Sequence, residues 1–382
     1  MKLVIAPDSF KDALRSYEVA LALADGWRGR RPDDEIVTVP LSDGGEGLTE
    51  AVVRATGGVS RTFDLHDPLM RPIRAQGGFT GGDRRRAVME MAAASGIELV
   101  RKEERNPLRT TTYGAGELLG RLLDEAPEEI IVGIGGSATV DGGAGMLQAL
   151  GARFFDAAGR ELPVGMGGGD LSRAVRADFG GIHPALRRTR IRVACDVTNP
   201  LLGPRGSAAV FGPQKGATPA MVAELECQLA HWRKLILETL GAAVPPEHPG
   251  DGAAGGLGFA LRTVAGGLPE SGAALVMELA DMKKALRGAS LLITGEGCSD
   301  SQTVCGKLCA VAAEYARREG VPTVLCSGAL RGDTAPLETL FAGVFSIAAG
   351  PGSLDDAIAA TRENLRRCGA NLAGLARVFA ER

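Results

Sequence analysis

Short apolar runs, each closed by glycine or proline, alternate along this chain with stretches whose apolar residues recur every three or four positions. The clearest runs are LVIA (3–6), EIVTV (35–39), EIIVGIGG (129–136), IRVAC (191–195), LLITG (291–295), PTVLCSG (322–328) and GVFSIAAG (343–350). They have strand length and are rich in β-branched residues, as buried parallel strands are. Between them the pattern turns helical. Over 17–28, Val19, Leu23 and Trp27 fall at i, i+4 and i+8, with Ser16 placed as an N-cap. Over 304–317, Leu308, Ala312 and Tyr315 stack on one side. This alternation predicts an α/β protein with a largely parallel sheet.

The middle of the chain breaks the rhythm. Residues 62–92 read as short strands joined by Gly and Pro turns. Residues 152–171 resemble a hairpin followed by a loop. Residues 195–219 read as a long loop, and loops of that length in a compact chain are more often functional than accidental. Residues 242–258 read as a surface loop or mobile lid. No internal repeat or coiled coil is visible.

Composition narrows the class. The 382 residues carry a formal net charge of −3, so no global field favours nucleic acid or an anionic membrane surface. Two domains are the natural expectation for this length. The 54 glycines are roughly twice average usage and point to many Gly-built loops. No apolar run reaches the roughly 18 residues of a membrane span, and the start MKLVIAPDSF has no signal-peptide pattern. Seven cysteines without framework spacing fit reduced thiols, and the expected location is the cytoplasm.

Five of the strand-like runs end in a glycine-rich turn carrying an acid. They bring Asp8 and Lys11; Asp43 and Glu46; Ser137, Thr139 and Asp141; Asp196 with Thr198 and Asn199; and Glu296 with Asp300. In an open α/β sheet ligands bind beyond the carboxyl ends of the strands, where these groups fall. One such turn is ordinarily just a capped helix start; five together point to a site. GIGGSATVDGGAGM (133–146) is the best candidate phosphate cradle, with backbone N–H groups of Gly135 and Gly136 and hydroxyls of Ser137 and Thr139. It is not a P-loop, and its dinucleotide pattern is weak. Phosphoryl transfer needs Mg²⁺ on one or two carboxylates and cations near the moving group. Lys11, Lys215, Lys307 and Arg109 are the candidate cations. Cys298, Cys305 and Cys309 have no nearby His or fourth Cys to complete a zinc set. The four histidines lie outside these turns, which disfavours Ser–His or Cys–His chemistry and leaves acid–base work to carboxylates.

Together the segments IAPDSFK, SDGGEG, ERNPLRTTTYGAGEL, GIGGSATVDGGAGMLQALG, CDVTNPLLGPRGSAAVFGPQKGA, GGLGFAL and TGEGCSDSQTVCGK resemble the type I glycerate kinase family, in family order and over nearly the full length. The resemblance implies a kinase moving the γ-phosphoryl of ATP to a hydroxyl of D-glycerate, usually giving 2-phosphoglycerate. It also implies a Rossmann-like, flavodoxin-like domain (1–65 and 285–382) split by an inserted second α/β domain (66–284), with both substrates in the cleft between them. On it, Asp196, Glu296, Asp300 and Lys307 are the catalytic set, with Asp196 and Glu296 toward Mg²⁺. Asp8, Lys11, Asp43, Glu46, Arg109 and Lys215 face the acceptor, and Gly135, Gly136, Ser137, Thr139 and Asp141 face ATP. The expected partners are these small molecules, without nucleic acid or membrane, and a homodimer is left open. The chain departs from the family pattern GEGR[IL]DSQT at Cys298 and Ser299, from SATNDGG at Val140, and at Cys309 and Val311 after Lys307. Cys298 replaces an Arg. If that Arg holds an anionic group, its replacement costs about 1.5–3 kcal/mol of ion pairing. Rival readings are a 3-phosphorylating kinase, a kinase of another small hydroxy acid, and a catalytically silent ligand sensor.

Overall fold

The computed structural model describes residues 1–42, 45, 47–82, 85–241, 247–304 and 307–380. Among them are thirteen strands. They are β1 Lys2–Ile5, β2 Glu35–Thr38, β3 Val59–His66, β4 Pro72–Phe79, β5 Arg86–Glu90, β6 Glu129–Gly133, β7 Arg153–Phe155, β8 Arg176–Asp178, β9 Arg190–Ala194, β10 Leu268–Glu270, β11 Leu291–Ser299, β12 Thr323–Leu330 and β13 Gly343–Ser346. All seven apolar runs read from the sequence lie on strands, and helices separate most of them, as an α/β protein requires.

The chain divides into two compact units. The first comprises Met1–Asp43, Arg54–Thr56 and Ala273–Arg382; the second comprises Gly44–Val53 and Gly57–Gly272. The change of unit comes earlier than residue 65. β3 pairs along its whole length with β4, from Val59–Phe79 to His66–Pro72, and so joins the second unit's sheet.

The first unit is built on a five-stranded sheet in the order β13-β12-β11-β1-β2, with every neighbouring pair parallel. Numbered within this unit the order is 2-1-3-4-5, the flavodoxin-like arrangement, whose switch point lies between its first and third strands. Here those are β1 and β11. Leu3, Ile5, Ile293 and Cys326 pack on one face with Val19, Leu23 and Trp27 of the helix Ser16–Arg28 and with Leu365 and Leu372 of the helix Thr361–Ala380. Leu325 packs on the other with Cys309, Ala313, Leu337 and Phe341. Ser16 is not the cap read from the sequence but the first helical residue. Its hydroxyl donates to the Pro7 carbonyl and accepts from the Leu41 N–H, both at 2.8 Å, fastening the turn after β1 to the one after β2. The later helix starts at Leu308 rather than 304, because 300–304 are spent on a turn.

The second unit has a six-stranded mixed sheet, β10-β9-β6-β5-β4-β3. β10, β9, β6 and β5 run parallel; β4 and β3 add antiparallel pairs. Its core gathers Ile130, Val132, Val193, Leu118, Phe154, Trp232 and Phe259. The hairpin read over 152–171 is a single bridge, Phe155–Glu161, while β7 pairs antiparallel with β8. The loop over 195–219 contains the short helix Ser207–Phe211. The surface loop or lid read over 242–258 is corrected: 242–246 lie outside the described residues, and Ala253–Gly258 are buried at the start of the helix Ala253–Ala265. An Arg262–Asp251 ion pair, nearly buried on both sides at 2.7 Å, anchors that start.

The helices Ser16–Arg28 and Thr361–Ala380 touch backbone to backbone. A Cβ on Gly26 would stand 1.9 Å from the Arg366 carbonyl oxygen, and one on Gly369 would stand 2.3 Å from that of Leu23. Gly369→Ala should therefore lower stability by about 2–3 kcal/mol in urea unfolding, the range of core overpacking. Gly374→Ala, on the same helix with nothing within 4 Å of its added carbon, should be neutral or stabilising by up to about 1 kcal/mol. Equal effects of the two would contradict this packing.

Candidate active site

In the first unit, the strand ends β1 and β11 meet at the switch point. Their pairing continues past β1, with the Asp8 N–H donating to the Gly295 carbonyl at 2.8 Å. Asp8 and Glu296 therefore emerge side by side, both half-buried. The Asp8 Oδ1 accepts the Ser9 N–H at 2.6 Å. Phe10 to Leu14 close a tight turn with Asp12 in the left-handed region (φ 63°), which leaves Lys11 exposed. Gly297 lies against this turn: a Cβ there would be 3.4 Å from the Lys11 nitrogen.

Glu296, within β11, is held by the end of its own strand and the turn that follows. Its Oε1 accepts from the Ser299 hydroxyl at 2.8 Å and the Thr303 hydroxyl at 2.6 Å. Asp300 closes an Asx turn, accepting the Gln302 N–H at 2.8 Å. Lys307 is exposed at the N-cap of the helix Leu308–Arg318. Beneath lies Cys309, fully buried, with the Thr294 hydroxyl 3.5 Å from its sulfur. Burial, then the nearby Glu296 and Asp8 carboxylates, push its thiol well up. It stays a neutral packing group. Cys298 is half-buried, and Cys305, Asp43 and Glu46 lie outside the described residues. The described residues contain no group of three or more His, Cys, Asp or Glu able to hold a metal.

In the second unit, β6 and β9 end side by side. Gly135 is half-buried and Gly136 exposed in the left-handed region (φ 71°) at the end of β6; Asp196 is exposed after β9, its Oδ1 accepting the Gly272 N–H at 3.1 Å. The rest of the GGSATVD segment turns inward. Ser137 is 8% exposed, and Thr139 and Asp141 are fully buried. The Asp141 carboxylate accepts the Thr112 N–H and hydroxyl, both at 2.7 Å, and the Gly143 and Gly145 N–H groups at 3.2 Å. Burial nevertheless pushes its carboxyl up. This narrows the cradle read from the sequence: within the segment the Gly143 and Gly145 N–H groups already hold Asp141, and Gly135 and Gly136 are its outward part.

Lys215 is 2% exposed and belongs to the same network. Its ammonium donates to Ser137 Oγ at 2.6 Å and to the Thr139 carbonyl at 2.7 Å. Arg109, in contrast, is exposed, beside Met70, Glu103, Arg105 and Asn106 around an open pocket of about 510 Å³. Sequence reading missed three hydroxyls that organise these acids: Ser299, Thr303 and Thr112. The first two follow Glu296 within seven residues in one turn, a spacing that could have flagged them.

Burial lowers Lys215 from 10.5 to about 7, with Asp141 pulling the other way. Below pH 7 the folded chain bears the full cost of the buried ammonium. Between about 7 and 10.5 the unfolded lysine is charged while the folded one has lost its proton, so this group's contribution to stability rises with pH and then levels off. In denaturant titrations, Lys215→Met should remove a rise of stability with pH across that window. An unchanged pH dependence would contradict the assignment.

The family model "Glycerate kinase family" matches residues 3–377. The chain is 44% identical to "Glycerate 2-kinase" of Escherichia coli (strain K12), over 98% of this chain and 97% of that one. It is also 44% identical to "Glycerate kinase" of Bacillus subtilis (strain 168), with the same coverage. A solved structure from Salmonella typhimurium LT2, of a chain proposed to be a glycerate kinase 2, superposes with a TM-score of 0.89 at 42% identity, covering all of both chains. The chain belongs to the glycerate kinase family.

Proposed function

We propose that the chain transfers the γ-phosphoryl of ATP to the 2-hydroxyl of D-glycerate, giving 2-phosphoglycerate, with Mg²⁺ as the metal. One observation carries the assignment to this surface: Asp8, Lys11, Glu296 and Asp300 gather at the β1–β11 switch point of a parallel sheet, where such folds bind ligands. The family supplies the reaction and these groups supply suitable chemistry.

The donors suit Mg²⁺. Carboxylate oxygens are on offer, and Glu296 Oε2 has no partner among the described residues. Mg²⁺ typically takes one or two carboxylates and fills its shell with phosphate and water. Glu296 is the proposed ligand on this surface, and Asp196 is the second acid that the family resemblance assigns to the metal; bound, the metal would neutralise charge on the transferring phosphates. Asp300 takes the acceptor hydroxyl's proton. Lys11 and Lys307 balance charge on the moving phosphoryl group. Arg109 pairs with the glycerate carboxylate, and Gly135 and Gly136 offer backbone N–H groups to ATP. Asp8, Asp43 and Glu46 orient the acceptor hydroxyls. Ser137, Thr139, Asp141 and Lys215 support the loop from beneath. The described residues hold no helix long and apolar enough to cross a membrane, which suits work on small solutes.

Cys298 keeps a second reading open: where the family pattern has a cation this chain has a thiol, so acceptor preference could move to another hydroxy acid or to the 3-hydroxyl.

A coupled assay with ATP, Mg²⁺ and D-glycerate should show turnover, with 2-phosphoglycerate identified by product NMR. Folded protein without turnover would contradict the proposal; 3-phosphoglycerate, or faster turnover of another acceptor, would favour the second reading. Glu296→Gln should lower kcat by roughly 10²-fold or more, the scale of losing a charge-stabilising group in transfer chemistry, with the circular dichroism spectrum unchanged.

A further inference from the structure

We infer that Ser299 and Thr303 are positioning residues: their two hydroxyls fix one oxygen of Glu296 and leave the other as the oxygen the reaction uses. The inference rests on the kinase reading above for what Glu296 does, and on geometry for how it is held.

Both hydroxyls converge on Oε1, at 2.8 Å from Ser299 and 2.6 Å from Thr303. Both donor residues are fully buried, at 0% exposure, while Glu296 is half-buried. A glutamate has three side-chain torsions, and one hydrogen bond leaves the carboxylate free to pivot. Two donors from different backbone positions fix its plane. Oε2 then has no partner among the described residues. Holding one oxygen firmly while the other faces the chemistry is how outer contacts orient a ligating carboxylate.

The clamp also reaches Asp300. Thr303 Oγ1 accepts the Asp300 N–H at 3.2 Å, and the Thr303 N–H donates to the Asp300 carbonyl at 3.0 Å. The turn that aims Glu296 therefore sets the backbone of the second acid. Ser299 stands where the family pattern above carries Ile or Leu, so the second donor belongs to this chain's version of the loop.

The test uses Ser299→Ala, Thr303→Val, their double variant and Thr303→Ser. Outer contacts of this kind typically cost 10–100-fold when removed. Each single removal should lower kcat roughly tenfold and the double variant roughly 100-fold, with KM for D-glycerate within about twofold. Thr303→Ser should restore most of the rate. Mn²⁺ binding in the presence of ADP, followed by electron paramagnetic resonance, should weaken in parallel. The inference is overturned if the double variant keeps kcat and Mn²⁺ affinity within twofold, or if the loss falls on KM alone. Should wild-type protein turn over no D-glycerate yet bind Mn²⁺ in a variant-sensitive way, the kinase reading fails and the clamp stands.

Discussion

The placement of the acids in the first unit depends on one constraint of parallel sheets. A parallel strand needs a crossover to reach its neighbour, and a sheet that grows both ways from its first strand must send two crossovers apart. Between them the strand ends cannot be covered by the connecting helices. In this chain that gap falls between β1 and β11. The Asp8 N–H to Gly295 carbonyl bond sets the register there, so the loop after β1 and the far end of β11, nearly 290 residues apart in sequence, present their acids together. Proximity of two carboxylates is costly without a cation. A cation relieves that cost, and this is where the proposal puts Lys11 and a metal.

The second unit solves a different problem, how to hold a glycine-rich turn still. Glycines leave backbone N–H groups that must be satisfied when buried. Asp141 satisfies those of Thr112, Gly143 and Gly145, and Lys215 holds the Thr139 carbonyl from the other side. A buried carboxyl group and a buried lysine thus brace the same turn. Neither is cheap to bury, and together they leave Gly135 and Gly136 outward with a defined backbone.

Much of this was legible in the sequence because strands buried on both faces must be continuously apolar. LLITG and LVIA announced β11 and β1, and the acids after them followed from where α/β sheets bind ligands. What stayed hidden was burial of polar groups. Asp141 and Lys215 read in sequence as groups facing ATP and the acceptor, and tertiary packing alone puts them inside. Ser16 misled for a related reason: its hydroxyl serves two distant turns instead of its own helix. The stretch 242–258 reads as a surface loop or mobile lid, yet a Cβ on Gly255 would stand 1.9 Å from the Thr139 carbonyl oxygen, so the glycines there mark close packing.

The most direct measurement is a crystal structure of this chain with a non-hydrolysable ATP analogue, Mg²⁺ and D-glycerate. The account predicts the cation on Glu296 Oε2, with Oε1 still held by Ser299 and Thr303, and the acceptor hydroxyl within hydrogen-bond reach of a carboxylate at the β1–β11 strand ends. Glycerate and cation bound away from those strand ends, with Glu296 touching neither, would contradict it.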